Sequence, residues 1–334
     1  MQIIKKILSI LLRVSISIIL LIFLFKFNKI DLRSLIDNVK AADKNLLFSA
    51  SIVFLLSYIL CFYRWGMLLN TLKVHLPLRR IVISFSGGIF FSLFLPSTIG
   101  GDLIRSIDLA VHTSRPKEII ATVFLDRLSG YVGMVLLALI ALFFGWRFVS
   151  DSKVVIASVL IITVILISIL VILFNKFLYF KINKLLHSPN AGKLRELIKN
   201  LHQEIHLFRH HKIVIANNLI FSVLIQAISP LTSFIIALSL GAKINIIYFF
   251  IFLPIIGAIS LLPISIGGLG IRENMTVLLF RKAGMSESMA VTMSILNFAF
   301  MVIYAAIGGL IYAFTVHHRR IQRHKSPSLY TARP

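Results

Sequence analysis

Long apolar runs separated by short polar stretches dominate the chain. Six runs are long enough to cross a bilayer, because about 20 apolar residues rising 1.5 Å each cover its hydrocarbon core of ~30 Å. They are residues 7–25, 46–63, 119–145, 154–174, 213–239 and 288–314. The pattern predicts an all-α polytopic membrane protein with about six full transmembrane helices.

Two further apolar runs, 81–95 and 246–262, are shorter, and each is followed by a weaker apolar stretch, 103–111 or 269–280. A run of 15 residues covers roughly 22 Å as a helix, less than the hydrocarbon core. Each pair is therefore either a tilted span with its flank or a re-entrant helical hairpin. We favour two re-entrant hairpins.

The distribution of basic residues decides between these alternatives. If 81–111 is re-entrant, the basic stretch 175–212 lies on the same side as Lys5, Lys6 and the basic tail 317–334. This arrangement obeys the positive-inside rule, whereas a full crossing would place that stretch outside. We therefore predict a multi-pass protein of a bacterial-type plasma (inner) membrane with both termini in the cytoplasm.

One phrase of the sequence occurs twice, at 95–105 and at 262–272. Both copies contain a proline, a glycine pair and an arginine at equal spacing, namely Pro96, Gly100, Gly101 and Arg105, then Pro263, Gly267, Gly268 and Arg272. Arg272 follows Arg105 by 167 positions, half of the 334-residue chain. The repetition predicts two membrane repeats of inverted topology, an arrangement that in transporters places the substrate site near the bilayer midplane.

The predicted domains follow from this repeat. The first membrane repeat comprises 1–150 and the second 151–316, which includes a cytoplasmic amphipathic segment at 180–212. The tail 317–334 follows the last span.

An arginine after a glycine pair suits a phosphate group. A half-helix beginning at the glycines would direct free N–H groups and a positive dipole end into the site, and arginine adds a forked cationic donor. The candidate substrate-binding residues are the proline, the glycine pair and the arginine of each copy, with Asp102, Gly270 and Glu273. Asp126 and Arg127, about seven residues into the third span, are further candidates.

Structural roles are the alternative for each candidate. Proline and glycine would only end a helix and allow close packing. Asp102 would cap a helix, Arg272 and Glu273 would be interfacial charges, and Asp126 and Arg127 would belong to a structural ion pair. Arg64 and Trp65, after the second predicted span, are interpreted as a snorkelling arginine beside an interfacial tryptophan.

Other features narrow the class of protein. Hydrophobic residues make up 58% of the chain, which excludes an ordinary soluble domain. The net charge of +23 resides beside the spans, so we exclude nucleic acid as a partner. His202, His206 and His210 recur every four residues, as in a metal-binding or pH-sensing stripe, but they do not form the zinc-protease pattern, so we predict no metal. No Walker loop or dinucleotide fingerprint occurs, so we predict no cofactor. A polar patch around Pro230 predicts a kink or a lining of the transport path; its polar residues are Gln226, Ser229, Thr232 and Ser233.

Four motifs resemble those of the lysylphosphatidylglycerol synthase membrane domain, also called the flippase-like domain family. Residues 266–273 (Ile-Gly-Gly-Leu-Gly-Ile-Arg-Glu) are similar to its Pro-Gly-Gly-x-Gly-x-x-Glu signature, and 64–69, 100–105 and 126–130 resemble its other motifs. The resemblance implies a membrane domain that moves a lipid between leaflets. We expect a stand-alone member without the soluble aminoacyltransferase domain of two-part relatives.

The sequence thus predicts a lipid flippase or transporter for an anionic phospholipid or a lipid-linked intermediate. Its expected partners are membrane lipids and a separate lipid-modifying enzyme. Two alternatives stay open at this point. One is a membrane enzyme, resembling a glycosyltransferase, with Asp102, Asp126 or Glu273 as base, and the other is a membrane partner of a lipid synthase.

Overall fold

A computed structural model describes residues 15–20, 22–26, 31–94, 98–174, 211–260 and 268–325. These residues form helices and short connections, without a strand among them. The helices are α1 (residues 15–20 and 22–26), α2 (Leu32–Ala41), α3 (Lys44–Thr71), α4 (Leu78–Phe94), α5 (Thr98–Thr113), α6 (Pro116–Phe144), α7 (Trp146–Val149), α8 (Lys153–Phe174), α9 (Lys212–Ser239), α10 (Ile246–Ser260), α11 (Ile271–Lys282) and α12 (Glu287–Lys325). The predicted all-α class is confirmed.

Five of these helices, α3, α6, α8, α9 and α12, are long and apolar enough to cross a membrane. They correspond to five of the six predicted spans; the remaining one, 7–25, is described only at 15–20 and 22–25. Large apolar side chains of α8 point outward, as expected for a helix against lipid; they include Leu160, Ile161, Val164 and Ile165. The chain is a multi-pass membrane protein.

The α4–α5 pair forms an antiparallel helical hairpin. Near its open end, Arg80 Nη2 donates to Asp108 Oδ1 at 2.8 Å, and one turn further along α4, Ser84 Oγ donates to the carbonyl of Arg105 at 3.1 Å. At this open end, the connections to the neighbouring spans α3 and α6 meet, because Arg115 Nη1, just before α6, donates to the carbonyl of Lys73, just after α3, at 3.2 Å. The hairpin therefore returns to the end of the bundle from which it started.

The α10–α11 pair forms a second antiparallel hairpin. The ring of Phe280 lies 4.8 Å from that of Phe249 and 5.3 Å from that of Phe252, between centroids. Its open end adjoins the end of α9 at Ser239, because α9 directly precedes the hairpin. The amide of Asp43, just before α3, donates to the carbonyl of Ser239 at 2.9 Å, so this open end lies beside the start of α3. The hairpin α4–α5, in contrast, opens at the end of α3.

The two hairpins consequently open at opposite ends of the bundle. This is the inverted arrangement that the repeated phrase indicates. The boundaries of the two repeats, 1–150 and 151–316, stay predictions, and most of the amphipathic segment 180–212, including its three histidines, lies outside the described residues.

Single cysteines at the exposed positions Arg79, Lys117 and Lys243 test this arrangement. In a Cys61→Ser background, which removes the one native cysteine, we expect a membrane-impermeant maleimide to label Arg79→Cys and Lys117→Cys from one side of the membrane. Lys243→Cys should react only from the other side. Labelling of all three from the same side would contradict opposed hairpins.

Candidate functional site

Helices α3, α5 and α6 bring five charged side chains into one cluster inside the bundle. Arg64 comes from α3, Asp102 and Arg105 from α5, and Asp126 and Arg127 from α6. Asp126 lies ten residues after the start of α6 at Pro116, or about 15 Å along the helix. At that depth an ionised side chain needs partners of opposite charge.

Asp126 is the centre of the cluster, and its side chain is only 4% exposed. Its Oδ1 accepts from Arg64 Nε at 2.8 Å and its Oδ2 from Arg105 Nη2 at 2.9 Å. Arg64 also donates to Ser222 Oγ on α9 at 2.9 Å. Asp126 therefore forms buried ion pairs with arginines of two other helices, and its role in substrate binding stays a prediction.

Asp102 forms ion pairs with both Arg105 and Arg127. Its Oδ1 accepts from Arg105 Nε at 3.1 Å, and its Oδ2 accepts from Arg127 Nε. Asp102 lies inside α5, which begins at Thr98, so the interpretation of Asp102 as a helix cap is wrong. Its carboxylate instead links two arginines of the cluster.

The cluster has an excess of positive charge. Three arginines face two aspartates, which leaves a formal charge of +1. The Arg105 guanidinium lies 4.6 Å from the centre of the Trp65 ring and 4.7 Å from that of Phe85. Within the described part of the chain, its buried Nη1 has no hydrogen-bond partner.

A cavity of about 270 Å³ adjoins the cluster. All five charged residues line it, together with the glycines 88, 101 and 130 and uncharged polar side chains; the latter are Ser57, Tyr58, Cys61, Ser92, Tyr131 and Gln226. Gln226 Nε2 donates to the carbonyl of Gly130 at 2.9 Å, so the polar patch predicted on α9 borders the cavity.

The glycine pair lies in the first turn of α5 and has a packing role. A Cβ atom on Gly101 would lie 2.2 Å from the carbonyl oxygen of Gly88 on α4. Only glycine permits this approach. The contact holds the first turn of α5 against α4 at the cavity wall. Gly100 lies beside it in the same turn, and Pro96 lies outside the described residues.

The second copy of the phrase builds a different site. Glu273 Oε2 accepts from the amide of Gly270 at 2.7 Å and caps α11, while its Oε1 pairs with Arg272. Arg272 Nε also donates to Ser294 Oγ on α12 at 3.2 Å. Glu273 is 3% exposed, so the interpretation of this acid as interfacial is wrong.

The glycines that precede α11 differ from those of α5. Gly268 and Gly270 both have positive φ, 76° and 83°, and α11 begins only after them. Residues 268–272, the described part of this copy, are not among the residues that line the 270 Å³ cavity. Pro263 and Gly267 lie outside the described residues.

Comparison with known proteins now adds to this geometry. The family model described as "Lysylphosphatidylglycerol synthase TM region" matches residues 10–309. The chain belongs to this family. It is similar to UPF0104 membrane protein PH1989 of Pyrococcus horikoshii, with 20% identity over 276 residues, which are 77% of this chain and 82% of that protein. No solved structure matches the chain.

Three of the four motifs that resemble this family meet in the cluster. The stretch 64–69 supplies Arg64, 100–105 supplies Asp102 and Arg105, and 126–130 supplies Asp126 and Arg127. The fourth, 266–273, supplies the Arg272–Glu273 pair on the other hairpin.

Arg64 is the site residue that sequence reasoning missed. The interfacial interpretation is wrong, since Arg64 is 5% exposed and Trp65 is fully buried. The second predicted span ended at residue 63, whereas α3 continues to Thr71 and carries Arg64 into the bundle. The available signal was Asp126, because a carboxylate at that depth requires a cationic partner.

Proposed function

We propose that the protein is a lipid flippase or transporter that moves an anionic phospholipid or a lipid-linked intermediate between the leaflets. The observation that carries this proposal is the buried cluster with its +1 charge on the wall of a 270 Å³ cavity. A net positive charge inside a membrane protein is costly unless an anion compensates it. A lipid headgroup is an anion that reaches such a site from within the membrane.

The donors of the cluster suit a phosphate. Both Arg105 and Arg127 line the cavity; the buried Nη1 of Arg105 has no described partner, and the Arg127 side chain is 34% exposed. Guanidinium groups bind phosphate oxygens through forked, charge-assisted hydrogen bonds. Gly101, in the first turn of α5, lies on the same wall, and the positive dipole end of a helix favours negative charge.

The headgroup would pass along one face of α9. Ser222 contacts the cluster, Gln226 lines the cavity, and Ser233 accepts from Asn297 Nδ2 on α12 at 3.0 Å. Ser294, one turn before Asn297 on α12, binds Arg272. In this proposal the polar face connects the two arginine sites, and rocking of one repeat against the other exposes them alternately.

The proposal includes orientation and partners. Both termini would lie in the cytoplasm of a bacterial-type plasma membrane, as the basic stretches indicate. Membrane lipids would be the substrates, and a separate lipid-modifying enzyme would supply or consume them.

An enzyme acting on a lipid-linked substrate has less support. Such an enzyme needs a carboxylate that is free to accept a proton. Asp102 and Asp126 each receive hydrogen bonds from two arginines. Glu273 receives two from Arg272, one from Ser294 Oγ and one from the amide of Gly270. These bonds leave the three candidate bases poorly available for proton transfer.

Lipid movement in proteoliposomes tests the proposed function. Acyl-chain-labelled phosphatidylglycerol should reach the opposite leaflet faster than in empty vesicles. Arg105→Gln should slow this about 10- to 100-fold, since losing a hydrogen bond to a charged group costs about 1.5–3 kcal/mol. Arg281→Gln is the matched control, because Arg281 is 70% exposed and pairs only with Glu287 in the described structure.

Equal rates with and without the protein would refute the transporter. A wild-type rate for Arg105→Gln would refute the assignment of the site. Gel filtration of each variant before reconstitution excludes loss of folding as the cause of a slow rate.

A further inference from the structure

We propose that the cavity selects lipids whose headgroup is a phosphodiester with a single negative charge and a small uncharged polar substituent. The inference rests on the proposed function and narrows its substrate. It excludes two other classes of lipid that the transporter could otherwise carry, namely diphosphate-linked lipids and aminoacylated lipids with a net positive charge.

The charge of the cavity wall is the first argument. Among the described residues, the charged side chains that line the cavity are the three arginines and two aspartates of the cluster, with a sum of +1. One negative charge brings the occupied site to neutrality. A diphosphate would leave excess negative charge in a low-dielectric interior, and a cationic headgroup would add to the positive charge already there.

The number of available donors is the second argument. Arg64 already donates through Nε, Nη1 and Nη2, to Asp126 Oδ1, Ser222 Oγ and the carbonyl of Asp126. Arg105 donates through Nε and Nη2 to Asp102 and Asp126, so its Nη1 is the donor that the cluster leaves without a described partner. Together with the partly exposed Arg127 side chain, this supply suits a single phosphate, and a second phosphate would compete with the internal ion pairs.

The size and lining of the cavity are the third argument. The cavity has a volume of about 270 Å³. That space has room for a phosphate with a short polyol. Beyond the ionic wall, Ser57, Tyr58 and Gln226 offer uncharged hydrogen-bonding groups to hydroxyls of such a substituent.

A comparison of the transport rates of four labelled lipids in proteoliposomes tests this selectivity. The probes carry the same acyl-chain label and differ in headgroup: phosphatidylglycerol with charge −1, zwitterionic phosphatidylcholine, lysyl-phosphatidylglycerol with a net positive charge, and a polyprenyl diphosphate. We expect the wild-type protein to move phosphatidylglycerol at least tenfold faster than the lysyl and diphosphate lipids, after subtraction of protein-free rates.

Two variants change the charge of the wall in opposite directions. Asp102→Asn raises it to +2 and should increase the diphosphate-to-phosphatidylglycerol rate ratio, while Arg127→Gln lowers it to zero and should increase the phosphatidylcholine-to-phosphatidylglycerol ratio. The side chains of Asp102 and Arg127 are 14% and 34% exposed, and a ratio within one variant cancels differences in the amount of folded protein. Arg281→Gln should leave both ratios unchanged.

The outcomes separate this inference from the proposed function. Movement of none of the four lipids by the wild-type protein would refute the proposed function. Movement of all four at equal rates, or ratios that both variants leave unchanged, would refute the charge selectivity alone. Opposite shifts of the two ratios in the stated directions would support it.

Discussion

Replacing Asp126 with asparagine is expected to lower the free energy of unfolding by about 3–5 kcal/mol. The carboxylate is shared by Arg64 and Arg105, whose side chains are 7% and 4% exposed. An asparagine keeps the shape but not the charge, so both guanidinium groups would remain buried without their shared counter-ion. A loss of this size is a large fraction of the stability of a typical protein.

Equilibrium unfolding of the purified variant in mixed micelles measures this effect. The matched control is Asp151→Asn, which removes an exposed carboxylate at the start of α8 and should change the stability by less than about 0.5 kcal/mol. The double variant Asp126→Asn/Arg64→Gln should recover part of the loss, because it removes one of the uncompensated charges. Wild-type stability of Asp126→Asn would contradict the central role of this carboxylate.

Replacing Gly101 with alanine is expected to push α4 and α5, the two helices of the first hairpin, apart and to abolish lipid movement. The new methyl group would lie 1.9 Å from Ser92 Oγ and 2.2 Å from the carbonyl oxygen of Gly88. The serine side chain could rotate away, but the α4 backbone could not move without displacing α5. Overpacking of this kind costs about 1–3 kcal/mol, and it would also shift Arg105 away from Asp126.

Gly257→Ala is the matched control for this substitution. A Cβ atom there would meet nothing closer than Met134 Sδ, at 3.7 Å. Since alanine favours a helix over glycine by about 0.8–1.0 kcal/mol, this variant should be at least as stable as the wild-type protein and should move lipid normally. Thermal unfolding and the liposome assay together distinguish the two glycines; equal behaviour would contradict the tight contact between α4 and α5.

The arginine at 105 and the carboxylate at 126 could be predicted as site residues because charge inside an apolar run is costly and rare. Arg64 could not be recognised in the same way. It directly follows a predicted span, where an arginine also reaches water by snorkelling. The choice between these environments depends on where α3 ends, and α3 continues to Thr71 because Trp65, Leu68 and Leu69 pack into the bundle.

The two copies of the repeated phrase show a similar limit. Their equal spacing indicated hairpins in corresponding positions, and the described contacts place these hairpins at opposite ends of the bundle. The repeat did not reveal that Arg105 joins a cluster from three helices whereas Arg272 pairs with the adjacent Glu273. The local carboxylates of the two copies differ: the first has Asp102 three residues before its arginine, whereas the second has Glu273 directly after it.

The sequence by itself determined the membrane class, the approximate positions of the spans and hairpins, and the family. These properties follow from apolar run lengths, from helix-breaking residues and from local motifs, all of which act over short distances along the chain. Only the tertiary structure decided which charges meet, how many donors remain available and how large the cavity is. Those properties depend on contacts between residues far apart in the chain, such as Arg64 with Asp126 and Gly88 with Gly101.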